Sequence, residues 1–328
     1  MNHDDTWTHQ QAATCPDSGK AHRGHGCPGR DSWERKPSMS KTIVVTGTAT
    51  GMGRAIVEKF AAEGWNVVAT VRKEADLTVH DGLERVRTLL LDVDDEQAAG
   101  PFAQTAVEQF GQVDVLVNNA GFYQMGPVEV SSMDQIHRQF QTNVFGLIAL
   151  SQAFLPIFRA QRSGTIINIS SLTAEQGYPY SAVYAASKAA VATLSEGMSL
   201  EVAGFGIAVK AVLPGQHSTR IFTKIDIAQD VPADYQTGID AFFSKNAPTG
   251  SDPSITADVV YRAAVDGDNT KVRYYSAPDS AAIPRAKQIL GTDGYWAEFR
   301  NAVLAEPTPL FTALIPAPGE HPIEWQIS

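Results

Sequence analysis

KTIVVTGTATGMGRAIVEKFAAEGWNVVAT, residues 41–70, opens on a β-branched run, turns through Gly47, Gly51 and Gly53, and continues through a helical pattern into a second β-branched run. The two β-branched runs are short and apolar, as strands buried on both faces must be. The glycines remove side chains where the chain turns tightly, so backbone N–H groups can approach an anion at the positive end of the following helix. Ala55, Ile56, Phe60 and Ala61 recur at helical spacing, and Gly64 supplies a stop signal. Strand, glycine turn, helix and strand together make a nucleotide-binding opening. Its spacing is GxxxGxG rather than the common GxGxxG.

The same alternation continues along the chain. Strands are predicted over 42–46, 66–70, 86–91, 113–117, 165–169, 207–213 and 272–275, and helices between them, notably over 95–110, 133–160 and 181–203. Right-handed crossovers then give a single doubly wound Rossmann-like α/β domain, a seven-stranded parallel sheet flanked by helices, with its ligand at the carboxyl edge. Pro156 is expected to bend the long helix or weaken its last turns. The domain is expected over 40–328. It includes a mobile substrate lid near 216–251 and a C-terminal part read only as a late helix plus an extended tail.

Composition excludes several function classes. A net charge of −10 with no basic stripe argues against a nucleic-acid surface. The longest apolar stretch, VFGLIALSQAFLPIF from Val144, falls short of the roughly 20 residues a membrane span needs and reads as a buried helix. Residues 1–39 lack apolar periodicity and an apolar signal region, and are expected to form a disordered extension. Both cysteines, Cys15 and Cys27, lie there, which fits a reducing, cytoplasmic setting. The histidines beside them match no metal-ligand spacing, so no metal is expected.

The chemistry-bearing residues are Tyr184 and Lys188, four apart in AVYAASKAA, with Ser171 thirteen residues before the tyrosine. On a helix this spacing places phenol and amine one turn apart on one face, where a positive charge can lower the tyrosine pKa from about 10. Ser170 is the competing serine; the thirteen-residue offset selects Ser171.

TGTATGMG (46–53), NNAG (118–121), Ser171, Tyr184 with Lys188, and PGQHST (214–219) stand in an order and spacing that resemble the short-chain dehydrogenase/reductase family, over most of the chain. The resemblance implies a catalytic set of Asn143, Ser171, Tyr184 and Lys188. In that set Tyr184 donates or accepts the proton, Ser171 positions the substrate oxygen, and Lys188 holds the nicotinamide ribose and stabilises tyrosinate. Asn143 marks a helix break that admits a relay water. For the cofactor it implies Gly47, Thr48, Gly51, Met52 and Gly53 at the pyrophosphate, Asp92 and Val93 at the adenine, and Asn119, Ala120 and Gly121 along the ribose. Pro214, Gly215 and Thr219 are implied at the nicotinamide, joined by Tyr184 and Lys188.

Val71 stands where NAD-preferring relatives carry an aspartate, and Arg72 where NADP-preferring relatives carry an arginine. A guanidinium can clamp the 2′-phosphate that a carboxylate would repel. NADP(H) is therefore expected ahead of NAD(H). Phe122, Tyr123, Gln124, Met125, Tyr178, Pro179 and Tyr180 are placed to wall the pocket, favouring an apolar or aromatic carbonyl or secondary alcohol as substrate. His217 reads as an exposed loop histidine. The alternative function is a non-catalytic NADP(H)-sensing regulator on the same fold. The resemblance also implies a homodimer or homotetramer built on the long central helices.

Overall fold

The computed structural model describes residues 40–217, 225–245 and 250–316. Seven strands form one parallel sheet: β1 (Thr42–Val45), β2 (Asn66–Val71), β3 (Val86–Leu90), β4 (Val115–Asn118), β6 (Gly164–Ile169), β7 (Ile207–Pro214) and β9 (Arg273–Ser276). Their order is β3-β2-β1-β4-β6-β7-β9, which reverses direction of travel between β1 and β4. All seven predicted strands are present, each within two residues of its expected ends. β1, β4 and β7 are buried at every position, the consequence of helices on both faces.

One face is covered by α1 (Gly51–Ala62) and α7 (Pro253–Val265), where Ile56, Phe60 and Val260 pack on Ile43, Val45 and Val117. The other is covered by α2 (Ala99–Phe110), α4 (Gly146–Gln161) and α5 (Ala182–Val202), where Phe102, Phe154 and Met198 pack on Val44, Leu116 and Ile166.

Three regions differ from expectation. The segment predicted as one helix over 133–160 is α3 (Met133–Phe140), a π-helical turn at Gln141–Phe145, and α4, which runs through Pro156 to Gln161. Taken together, Met133–Gln161 is 29 residues and by length and hydropathy could cross a membrane. The apolar stretch from Val144 is only the second half of that span, and it is buried as expected. Leu150, Phe154 and Phe158 sit in the core against the sheet.

The region expected as lid contains a short strand, β8 (Asp226–Ile227), paired in parallel with β5 (Gln124–Met125), and a helix, α6 (Gln236–Lys245). After β9 the chain forms α8 (Pro278–Leu304), which changes direction at Gly291 (φ 70°), and α9 (Pro309–Leu314). Their Ile283, Tyr295, Phe299 and Phe311 close on Leu172 and Tyr178. This cluster of aromatic residues has no counterpart in the strand-and-helix alternation, which is why sequence periodicity leaves it unread. Residues 1–39 and Thr219 lie outside the described residues, as does the end of the C-terminal tail.

Candidate active site

The carboxyl ends of β1 to β4 and β6 open into a cleft of about 500 Å³. Gly47, Gly51, Met52 and Gly53 line it, as do Arg72, Asp92, Val93, Asn119, Ala120, Gly121, Tyr184 and Lys188. Gly47 and Gly51 have φ of 69° and 61°, the left-handed region that glycine enters without a Cβ penalty. At Gly53 a Cβ would lie 2.3 Å from the Gly47 carbonyl oxygen and 2.6 Å from Asn119 Nδ2, so only glycine fits. The turn is fixed from β4. Asn119 Nδ2 donates to the carbonyls of Thr46 (2.8 Å) and Gly47 (3.1 Å), and the Thr46 hydroxyl accepts the backbone N–H groups of Asn119 and Ala120, both at 2.9 Å.

Thr48 departs from the expected cofactor contacts. It is fully buried, and its hydroxyl donates to the Thr70 carbonyl (3.1 Å) and meets His80 Nε2 at 3.0 Å. Its side chain anchors the turn from within and does not line the cleft. His80, which the sequence reading passed over, is the second partner of this buried hydroxyl.

At the inner end, α5 brings Tyr184 and Lys188 to one face. Tyr184 is 8% exposed, and the Ser171 side chain stands close enough to its hydroxyl to favour the ionised form. Ser171 caps the short helical turn after β6, its oxygen accepting from Thr173 N–H at 3.1 Å. Ser170 is spent elsewhere: its hydroxyl donates to the Lys188 carbonyl at 2.7 Å. Lys188 Nζ donates to the Ile169 carbonyl at 2.8 Å and lies 5.9 Å from the Tyr184 ring centroid.

Burial moves both groups toward their neutral forms. Loss of water lowers Lys188 to about 8, and it raises Tyr184 against the smaller opposing effect of the Ser171 hydrogen bond. This corrects the expectation that the lysine makes the tyrosine more acidic in the protein alone. An amine that is itself desolvated and held by a carbonyl cannot outweigh the tyrosine's own burial.

Asn143 sits in the π-helical turn, 1% exposed, with Oδ1 accepting from Phe122 N–H (3.1 Å) and Nδ2 donating to Phe122 O (3.2 Å) and Ser187 Oγ (3.2 Å). The helix break expected at this position is present, and the side chain uses it to grip the chain just after the NNAG segment. Pro214 and Gly215 end β7 beside β6 and do not line the cleft. The Gly215 N–H donates to Ser276 O at 2.8 Å, and Asp279 packs so closely that a Cβ on Gly215 would lie 1.9 Å from its Oδ1.

His217 contradicts its reading as an exposed histidine. It is 5% exposed, with Nδ1 at 2.8 Å from Gly215 O and Nε2 at 2.8 Å from Thr256 Oγ1. A carbonyl only accepts, so Nδ1 carries the proton. Gln124 is also not a pocket wall: it is buried, bonding to Gln139 and Ser131.

At the outer rim Arg72 and Lys73 are exposed, and neither forms an ion pair among the described residues. Asp76 shares the rim, a carboxylate that sequence position alone did not single out. Behind Ser171, Glu175 accepts from Arg273, from Tyr275 (2.8 Å) and from Lys287 (3.0 Å), tying the serine loop to β9 and α8. Among the described residues no three His, Cys, Asp or Glu side chains converge as a metal site.

The glycine cradle, the unpaired cations at the rim and the polar set at the inner end fit a dinucleotide. Comparison with known proteins agrees. The model of the short chain dehydrogenase family matches residues 41–230. The oxidoreductase BOA17 of Botryotinia fuckeliana is 34% identical over 273 residues, covering 80% of this chain and 99% of its own. A short-chain dehydrogenase from Streptomyces avermitilis superposes with a TM-score of 0.68 at 32% identity, covering 80% of this chain and 98% of its own. ElxO with NADP bound gives 0.63 at 26% (73% and 97% covered), and a short chain dehydrogenase/reductase from Burkholderia phymatum in complex with NAD gives 0.67 at 25% (76% and 93%). This chain belongs to the short-chain dehydrogenase/reductase family of oxidoreductases.

Proposed function

We propose that the protein is an NADP(H)-dependent carbonyl reductase or alcohol dehydrogenase in which Tyr184 is the general acid and base. The observation that carries this reading is that Tyr184 and Lys188 meet at the buried end of a cleft whose other end is the glycine turn, with the buried Ser171 beside the tyrosine. The bound nicotinamide supplies or takes up hydride. Gly47, Gly51, Met52 and Gly53 would hold its pyrophosphate, Asp92 and Val93 the adenine, and Asn119 to Gly121 the ribose.

The protein's own residues manage the proton. In reduction, Tyr184 Oη gives its proton to the substrate oxygen, and Ser171 Oγ–H donates to that oxygen and fixes it within reach. The tyrosinate that results is stabilised when Lys188 carries its proton. With Lys188 held near 8, the amine is charged at neutral pH and stands ready for this. Burial that keeps Tyr184 neutral favours the acid form needed for reduction.

NADP(H) is supported by the absence of a carboxylate at buried Val71, by the unpaired Arg72 and Lys73 on the rim, and by bound NADP in ElxO. An apolar or aromatic ketone or secondary alcohol suits the aromatic residues near Tyr184. A cytoplasmic homodimer or homotetramer completes the reading.

The test mixes the protein with NADPH and a panel of ketones and follows the loss of reduced-nicotinamide absorbance. Turnover on apolar ketones is expected. Binding of NADPH without turnover across the panel would contradict the reading and favour a cofactor sensor.

A further inference from the structure

Tyr123 stands between the NNAG segment and β5, and three contacts converge on it. Its ring meets the Tyr184 ring edge-on, with centroids 4.5 Å apart and planes at 64°. Its hydroxyl is hydrogen-bonded to the hydroxyl of Ser181, the residue that starts the helix carrying Tyr184. Its carbonyl accepts from the Asp226 N–H at 3.0 Å, on the strand that pairs with β5.

The direction of the hydroxyl bond follows from its surroundings. Ser181 Oγ lies 3.3 Å from the Pro179 carbonyl, which can only accept, so Ser181 donates there and Tyr123 donates to Ser181. The proton of Tyr123 is thereby committed away from Tyr184. Burial pushes this phenol up, as it does Tyr184, so what sets the two apart is where the Tyr123 proton points.

We infer that Tyr123 is a positioning residue for Tyr184: its ring clamps the reacting phenol, whose hydroxyl stands by Ser171, and the Tyr123–Ser181 hydrogen bond fixes the clamp to α5. This rests on Tyr184 being the proton donor. A phenol ring has two torsions, and the two contacts restrain both, so the hydroxyl is presented in one orientation. The clamp is also continuous with the backbone that carries β8, because the carbonyl of Tyr123 holds the first residue of that strand.

The test is a double-mutant cycle on kcat at saturating NADPH, with whichever ketone turns over best. Tyr123→Phe and Ser181→Ala each delete one side of the hydroxyl bond and keep the ring. Each is expected to lower kcat about three- to tenfold, with KM for NADPH within about twofold of the parent. The double variant is expected to be no slower than the slower single, because both remove one interaction. Tyr123→Leu removes the ring too and is expected to lose about another tenfold, most of it restored by Phe at the same position.

Losses that simply multiply in the double variant, or a parental kcat in Tyr123→Leu, would overturn the inference. If Tyr123→Leu does not fold, as read by thermal unfolding, the Phe and Ala cycle decides alone. Tyr184→Phe serves as control. Normal turnover there would sink the general-acid reading itself, whereas an inactive Tyr184→Phe beside fully active Tyr123 variants would sink this inference only.

Discussion

At the inner end of the cleft Tyr184, Lys188 and Ser171 have each lost their water, whereas Arg72 and Lys73 at the outer rim keep theirs. The inner groups are held by protein partners at hydrogen-bond distance, and burial decides their ionisation. The rim cations have no ion-pair partner among the described residues and are screened by solvent. A charge is thus worth far more inside than outside, and the consequences of altering it should scale accordingly.

Lys188→Met is expected to have the largest effect of the rim-versus-interior set. Turnover should fall about 100-fold or more, because the neutral Ser171 hydroxyl beside Tyr184 cannot replace a positive charge in stabilising a tyrosinate. The free protein should at the same time become more stable at neutral pH. Lys188 is lowered from 10.5 to about 8 by burial, which corresponds to a cost on the order of 3 kcal/mol for its charged form.

The sign with pH follows from linkage. Between about 8 and 10.5 the unfolded chain binds a proton that the folded chain does not, so the parent gains stability as pH rises through that window. The Met variant should lack this rise. Tyr184 acts in the opposite sense: its folded pKa is raised, so its contribution is lost as pH climbs past the unfolded value of about 10. Urea unfolding of both proteins from pH 7 to 10 checks this, and identical pH dependences would break the contrast.

Glu175→Gln comes next. It removes the charge and one of the two oxygens that accept from Arg273, Tyr275 and Lys287, and should cost about 2 kcal/mol of stability by urea unfolding, with a smaller fall in turnover as the Ser171 loop loosens. At the rim, Arg72→Asp should shift the ratio of kcat/KM for NADPH over NADH by about tenfold toward NADH, less in high salt. No shift would mean that Arg72 does not meet the 2′-phosphate. Asp76→Asn should change NADPH affinity least, a gain of about two- to threefold by fluorescence titration, since it removes a screened repulsion.

The contrast also explains what was legible in the sequence. The parallel strands announced themselves because burial on both faces leaves only apolar, β-branched runs, as in TIVV and IAVKAVLP. The glycine turn and the Tyr184–Lys188 pair were legible because each requires fixed residue types at fixed spacing. The helix break at Asn143 was legible only through family resemblance; within α3 to α4 no glycine or proline marks 141–145. Nothing local foretold that His217 would be buried between Gly215 and Thr256, or that α8 would bring Lys287 to Glu175. Those partners are 39 and 112 residues apart, and long-range pairing of polar groups leaves no periodicity. The acidity of Tyr184 was misjudged for a related reason: spacing gives the neighbour's charge, but only the packed fold gives the extent of desolvation.

The most direct measurement compares the parent and Tyr184→Phe in two assays, NADPH binding by fluorescence and ketone reduction in a single turnover. The account predicts an NADPH Kd within about twofold of the parent and a reduction rate lowered by about 100-fold or more. A Tyr184→Phe protein that binds NADPH and reduces ketones at the parental rate would contradict it.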